Sequence, residues 1–131
     1  MDGEKEHKIK ILLVEDDEFL TEIYVTKFQA KNFEVENVKE GNLAIDKIKS
    51  FLPNIILLDI VLPQMSGFEI LKQIKENPAI ANIPVIILSN LGGVEDHKEG
   101  IDKGASDYLV KSQVTPTELV EKIENLLAKR S

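Results

Sequence analysis

Five short apolar runs alternate along this chain with stretches whose apolar residues recur at helical spacing, and few folds accept that order. The first run, Ile9 to Val14, is nearly continuous, as in a strand buried on both faces. Leu20, Ile23, Tyr24 and Phe28 follow on a helical stripe. Phe33, Val35 and Val38, mixed with Glu34, Glu36 and Asn37, predict a short half-exposed strand. Ala44, Ile45, Ile48 and Leu52 predict a second helix that stops at Pro53. Ile55 to Leu58 is another buried strand and ends abruptly on Asp59. Ser66 and Glu69 form a capping-box pattern ahead of Ile70, Leu71 and Ile74, and Pro78 closes that helix. Val85 to Leu88 is the fourth strand. A weakly apolar helix carrying only Val94 and Ile101 lies between glycines, and Tyr108 to Val110 is a short fifth strand. Thr115, Pro116 and Glu118 then cap a last helix with Leu119, Val120, Ile123, Leu126 and Leu127 on one side. Strands alternating with helices imply parallel strands joined by right-handed crossovers, and so a doubly wound α/β sheet.

At 131 residues the chain is expected to be one domain over 9–129, behind a charged tail at 1–8, with no output domain. There is no cysteine, which excludes disulfides, thiol nucleophiles and Cys-based zinc sites. His7 and His97 are too few for a His-rich metal centre. The formal charge of −7 comes without a basic stripe, so direct nucleic-acid binding is not expected. No apolar run approaches the roughly 18 residues of a membrane span, and the N-terminus lacks a signal-peptide core. The expected location is cytoplasmic, with no membrane insertion.

The polar residues fall in a pattern of their own. In an open α/β sheet, ligands bind beyond the carboxyl ends of the strands. Glu15, Asp16 and Asp17 follow the first strand, Asp59 the third, Ser89 and Asn90 the fourth, and Lys111 the fifth. Adjacent strands lie about 4.8 Å apart, so such groups can converge. Each has an ordinary explanation alone: a helix start, a turn aspartate, a loop hydroxyl, a solvated lysine. Together they are complementary. Clustered carboxylates repel and raise their own pKa values unless a cation intervenes, and all-oxygen ligation suits Mg²⁺. Lys111 adds a compact positive charge that can contact a carboxylate and a phosphate. Ser89 offers a hydroxyl donor, and Asp59 is placed for attack on phosphorus.

With those residues placed, the sequence resembles the receiver domain of two-component response regulators over Ile9 to Leu127. The segment from Ile11 to Asp17 is similar to the family's opening strand and acidic pair, with Glu15 and Asp16 as the pair and Asp17 as a helix cap. The segment from Leu58 to Gly67 resembles the phosphoacceptor strand and its loop, Leu88-Ser89 the switch hydroxyl, and Asp107 to Lys111 the switch aromatic and lysine. The resemblance implies a flavodoxin-like three-layer sandwich with strand order 2-1-3-4-5. It implies Asp59 as phosphoacceptor, and Mg²⁺ held by Asp16, Asp59, the Val61 carbonyl and Glu15, the last through water or as a second ligand. It implies phosphotransfer from a sensor histidine kinase or phosphotransfer protein, and no separate enzymatic activity beyond the domain's own phosphorylation and dephosphorylation. Ser89 and Lys111 would then move toward the phosphate, Tyr108 would swing inward, and a downstream protein target would read the face of helix 4, strand 5 and helix 5. An inert receiver serving as a docking module is the alternative.

Three positions depart from the family pattern: Asn90 stands where a very small residue is usual, Ser89 where threonine is commoner, and Ser112 where proline usually follows the lysine. Val61 and Leu91 should flank the approach to phosphorus, and neither side chain can hydrogen-bond a nucleophilic water, so slow autodephosphorylation is expected. A phosphohydrolase with an aspartyl nucleophile would want a second aspartate where Val61 stands, and no G-x-G-x-x-G or P-loop lysine points to nucleotide binding.

Overall fold

The computed structural model describes residues 8–130, so all but the last residue of the expected 1–8 tail lies outside the described residues. Five strands run β1 (Lys10–Val14), β2 (Glu34–Val38), β3 (Ile55–Leu58), β4 (Val85–Ser89) and β5 (Asp107–Val110). Between and after them come α1 (Glu18–Ala30), α2 (Ala44–Phe51), α3 (Gly67–Glu76), α4 (Val94–Asp102) and α5 (Pro116–Arg130). All strands pair in parallel in the order β2-β1-β3-β4-β5. This is the doubly wound, flavodoxin-like order expected.

Alternation along the strands produces two cores, because successive side chains point to opposite faces. Leu12, Val14, Ile56, Leu58, Val85 and Ile87 face α2 and α3 on one side, against Ile48, Ile70, Leu71 and Ile74. Ile11, Leu13, Ile55, Leu57, Ile86 and Leu88 face α1 and α5 on the other, against Tyr24, Phe28, Leu119, Val120 and Ile123. The continuous apolar runs of β1, β3 and β4 are therefore those of strands covered on both faces. β2, at the edge, keeps the mixed pattern of a half-exposed strand.

The helix ends follow local chemistry. Asp17 Oδ1 accepts from the Leu20 N–H at 2.9 Å and caps α1. At α5 the capping box closes in both directions, Glu118 N–H to Thr115 Oγ1 at 3.0 Å and Thr115 N–H to Glu118 Oε1 at 2.9 Å. At α3 the box is only half made. Ser66 Oγ accepts from the Phe68 N–H, but Glu69 turns along the exposed helix face to accept from Gln73 Nε2 four residues on. Two apolar patterns also resolve differently in the structure. Leu52 takes a left-handed conformation before Pro53 and points to solvent, so Phe51 fills the buried place at the end of α2. On α4, Val94 and Ile101 are exposed and Gly100 is the buried residue, because this helix presses its backbone rather than a side-chain stripe against the sheet.

Candidate functional site

The register sets the site before any side chain is considered. Val14 pairs with Leu58, so Glu15 and Asp59 leave β1 and β3 side by side. Ser89 pairs with Val110, which places Lys111 one residue beyond the edge strand with its long side chain running back over the sheet's rim. The lysine reaches both acids: Nζ lies 2.8 Å from Asp59 Oδ2 and 2.7 Å from Glu15 Oε1. Only 8% of the lysine side chain is exposed, against 1% for Glu15 and 7% for Asp59, so all three charges sit largely out of water. Glu15, Asp16, Asp59, Ser89 and Lys111 line one cleft of about 370 Å³, whose mouth is bordered by Val61, Asn90 and Leu91.

Every buried polar group here has a partner. Glu15 Oε2 accepts the Asp17 N–H at 3.0 Å, and Asp59 Oδ1 accepts the Val61 N–H at 3.2 Å. Ser89 is fully buried, and its Oγ accepts the Leu91 N–H at 3.3 Å. Burial pushes the Glu15 pKa above its usual range, against the hydrogen bonds from Lys111 and Asp17 that pull it down. Burial also works to lower the Lys111 pKa, but the hydrogen bonds and negative charge of Asp59 and Glu15 outweigh it, and the net shift is upward. The ammonium is thus held charged by the acids it spans.

Carboxylate oxygens of Glu15, Asp16 and Asp59 lie within 4.8 Å of one another. A hard, all-oxygen donor set of this size fits a magnesium ion. Asp16 is exposed at the cleft and free of the lysine, whereas both Glu15 oxygens already have partners, so the two members of the acidic pair are not equivalent.

Four features differ from or add to the sequence reading. Tyr108 lies inward: the residue is only 4% exposed and its hydroxyl donates to the Leu91 carbonyl at 2.6 Å. Among the described residues there is no cis peptide bond, and Lys111–Gln113 forms a short 3-10 turn where proline is usual. Sequence reasoning gave no role to Asn37. Its Nδ2 donates to the carbonyls of Leu13 at 2.9 Å and Glu15 at 3.2 Å, tying the end of β1 to the edge strand. The available signal was a poor strand former within the second strand. Gly67 was visible only as part of a motif, and the reason for it is steric. A Cβ there would lie 2.1 Å from the Asp59 carbonyl oxygen, so the first turn of α3 can approach the acceptor strand only without a side chain.

A doubly wound sheet whose rim gathers three carboxylates, a buried serine and a lysine around one cleft defines a receiver-type α/β domain. The chain belongs to the response regulator receiver domain family, whose model matches residues 11–124. It is therefore a signalling domain of the two-component type. It is 34% identical over 119 residues to the gliding motility regulatory protein of Myxococcus xanthus, covering 91% of this chain and 15% of that protein. The first four curated relatives are matched over only 15% to 52% of their length. Among solved structures, the Francisella response regulator 1452 receiver domain superposes with a TM-score of 0.87 at 28% identity, covering 95% of this chain and 100% of that one. The BeF3-activated N-terminal receiver domain of Klebsiella pneumoniae RstA gives 0.84 at 26% identity, covering 90% and 97%.

Proposed function

We propose that this domain is a phosphoacceptor switch: Asp59 takes a phosphoryl group from the phosphohistidine of a sensor kinase or phosphotransfer protein. The observation that carries this reading is the Lys111 ammonium bridging Asp59 and Glu15 at hydrogen-bond distance, beside an acidic group able to hold a divalent cation. A lone pair on an Asp59 carboxylate oxygen forms the new P–O bond while the donor's P–N bond breaks, its electron pair returning to the imidazole nitrogen. Lys111 and the Ser89 hydroxyl are the donors available to the phosphoryl oxygens, and the Val61 N–H orients the carboxylate. Asp16, Asp59 and the Val61 carbonyl, with Glu15 behind them, would hold Mg²⁺. When bound, that ion supplies positive charge against the phosphoryl oxygens.

The output follows from surface chemistry. Val94 is 84% exposed on α4, beside a shallow cleft of about 470 Å³ along Gly92, Gly93, His97 and Ile101. A partly apolar, open strip on α4, with Lys98 and Asp102 at its edge, suits a downstream protein target that reads the α4–β5–α5 face. Intact-mass measurement after incubation with acetyl phosphate and Mg²⁺ tests the proposal. One phosphate added to the wild-type domain and none to Asp59→Asn is expected. No addition to either would leave an inert docking module, and turnover of a generic phosphomonoester would point to a hydrolase instead.

A further inference from the structure

We propose that Gly100 and His97 are positioning residues that hold the Tyr108 ring inward before any phosphoryl group arrives. The inference rests on the reading of Tyr108 as the switch aromatic and concerns what sets its resting position. The ring lies on the sheet side of α4, in a slot that exists because residue 100 has no side chain. A Cβ built on Gly100 would stand 2.6 Å from Ile87 Cδ1 and 2.9 Å from Tyr108 Cδ2, and 3.4 Å from Cε2 of the same ring. Contacts that short cannot persist, and moving one side chain does not relieve the other's, so both must shift. For Ile87 the clash is with its terminal methyl, which can turn about its own bond within the core. Tyr108 sits on the edge strand β5, where a turn about its side-chain bonds delivers the ring to solvent. The rigid ring has no such local adjustment and clears the added methyl only by leaving the slot.

His97, one helical turn before Gly100, closes the slot from outside. Its imidazole stacks on the Tyr108 ring with centroids 5.3 Å apart and planes 26° apart. At the far end the phenol donates to the Leu91 carbonyl at 2.6 Å, and the Leu91 N–H in turn donates to Ser89 Oγ. Slot, lid and hydroxyl anchor thus act on one ring from three directions, and the anchor leads straight to the serine of the phosphoacceptor cleft. A ring held in this way does not need the phosphate to bring it in. The phosphate-dependent change is left to the Ser89–Gly93 segment and α4.

The test uses fluorotyrosine, since the chain has two tyrosines, Tyr24 and Tyr108, and Tyr24→Phe assigns the resonances. Fluorine relaxation enhancement by a soluble paramagnetic chelate reads how exposed each ring is. In the unmodified wild-type domain Tyr108 should be protected to about the level of buried Tyr24, with little change on adding beryllofluoride and Mg²⁺. Gly100→Ala should raise the Tyr108 enhancement severalfold while leaving that of Tyr24 unchanged, which also shows that the domain is folded. Alanine favours a helix more than glycine does, so loss of structure is not expected. His97→Ala should raise it less. The proposal is overturned if wild-type Tyr108 is as accessible as free fluorotyrosine, or if Gly100→Ala leaves its protection intact. Phosphorylation of Asp59, read separately by mass, distinguishes failure of the clamp from failure of the switch reading itself.

Discussion

Replacing Lys111 by methionine keeps most of the side chain's length and removes its charge. In the wild-type domain that ammonium is 2.7 Å from Glu15 Oε1 and 2.8 Å from Asp59 Oδ2, and all three side chains are nearly closed to solvent. Deleting one member of a buried charge group costs about 3–5 kcal/mol, because the remaining charges are left uncompensated. Two carboxylates lose the same cation here, which argues for the upper part of that range. Protonation of Glu15 works the other way. Its pKa is already raised, with burial the leading cause and the Lys111 hydrogen bond the largest pull downward, so removing the lysine lets it rise further. A carboxyl whose folded pKa lies above its unfolded value contributes stability that is full below the unfolded pKa and is lost as pH rises through the folded one. The variant's deficit should therefore be smallest near pH 5 and largest near pH 8, where we expect about 3 kcal/mol or more. In melting temperature that is on the order of 10 °C for a domain of this size. Urea unfolding followed by circular dichroism across that pH range, with and without Mg²⁺, measures it. Mg²⁺ should raise the variant's midpoint more than the wild type's, since the ion takes over neutralisation of the acids. A variant as stable as wild type at pH 8 without metal, or a deficit independent of pH, would refute the reasoning.

Three further outcomes follow from the same geometry. Gly67→Ala forces a methyl to within 2.1 Å of the Asp59 carbonyl, and should cost about 1–3 kcal/mol of stability in thermal unfolding while slowing phosphorylation by acetyl phosphate. Asn37→Ala removes the donor to the Leu13 and Glu15 carbonyls. A loss of about 1 kcal/mol is expected, with weaker Mg²⁺ binding by titration calorimetry, and unchanged metal affinity would confine Asn37 to a structural role. Val61→Asn with Leu91→Glu places polar groups at the mouth of the cleft, where the native pair is apolar and exposed. Decay of phosphorylated Asp59, followed by mass, should then be faster than in wild type, and an unchanged rate would remove both residues from control of lifetime.

Much of the site could be read from the chain because its residues sit at strand ends, where an apolar run stops on a polar residue. Asp59, Ser89 and Lys111 each announce themselves that way, and the parallel order makes their ends point to one rim. Asn37 and Gly67 did not, since their roles lie in backbone carbonyls that come near only when β1 meets β2 and when α3 folds back on β3. Tyr108 was legible as an aromatic at the right place, but not its resting orientation. That depends on how closely α4 approaches the sheet, a distance set by Gly100 rather than by any apolar stripe.

Sequence alone determined the alternation of strands and helices, the two-faced burial of β1, β3 and β4, and the supply of acids, hydroxyl and lysine at one edge. These depend on periodicity and on neighbours close along the chain. Tertiary structure decided the rest: that Glu15, not Asp16, shares the lysine with Asp59, that Leu52 leaves the core to Phe51, and that Tyr108 rests inside. Each is settled by contact between segments far apart in sequence, where a few tenths of an ångström of packing choose between arrangements that local propensity cannot rank.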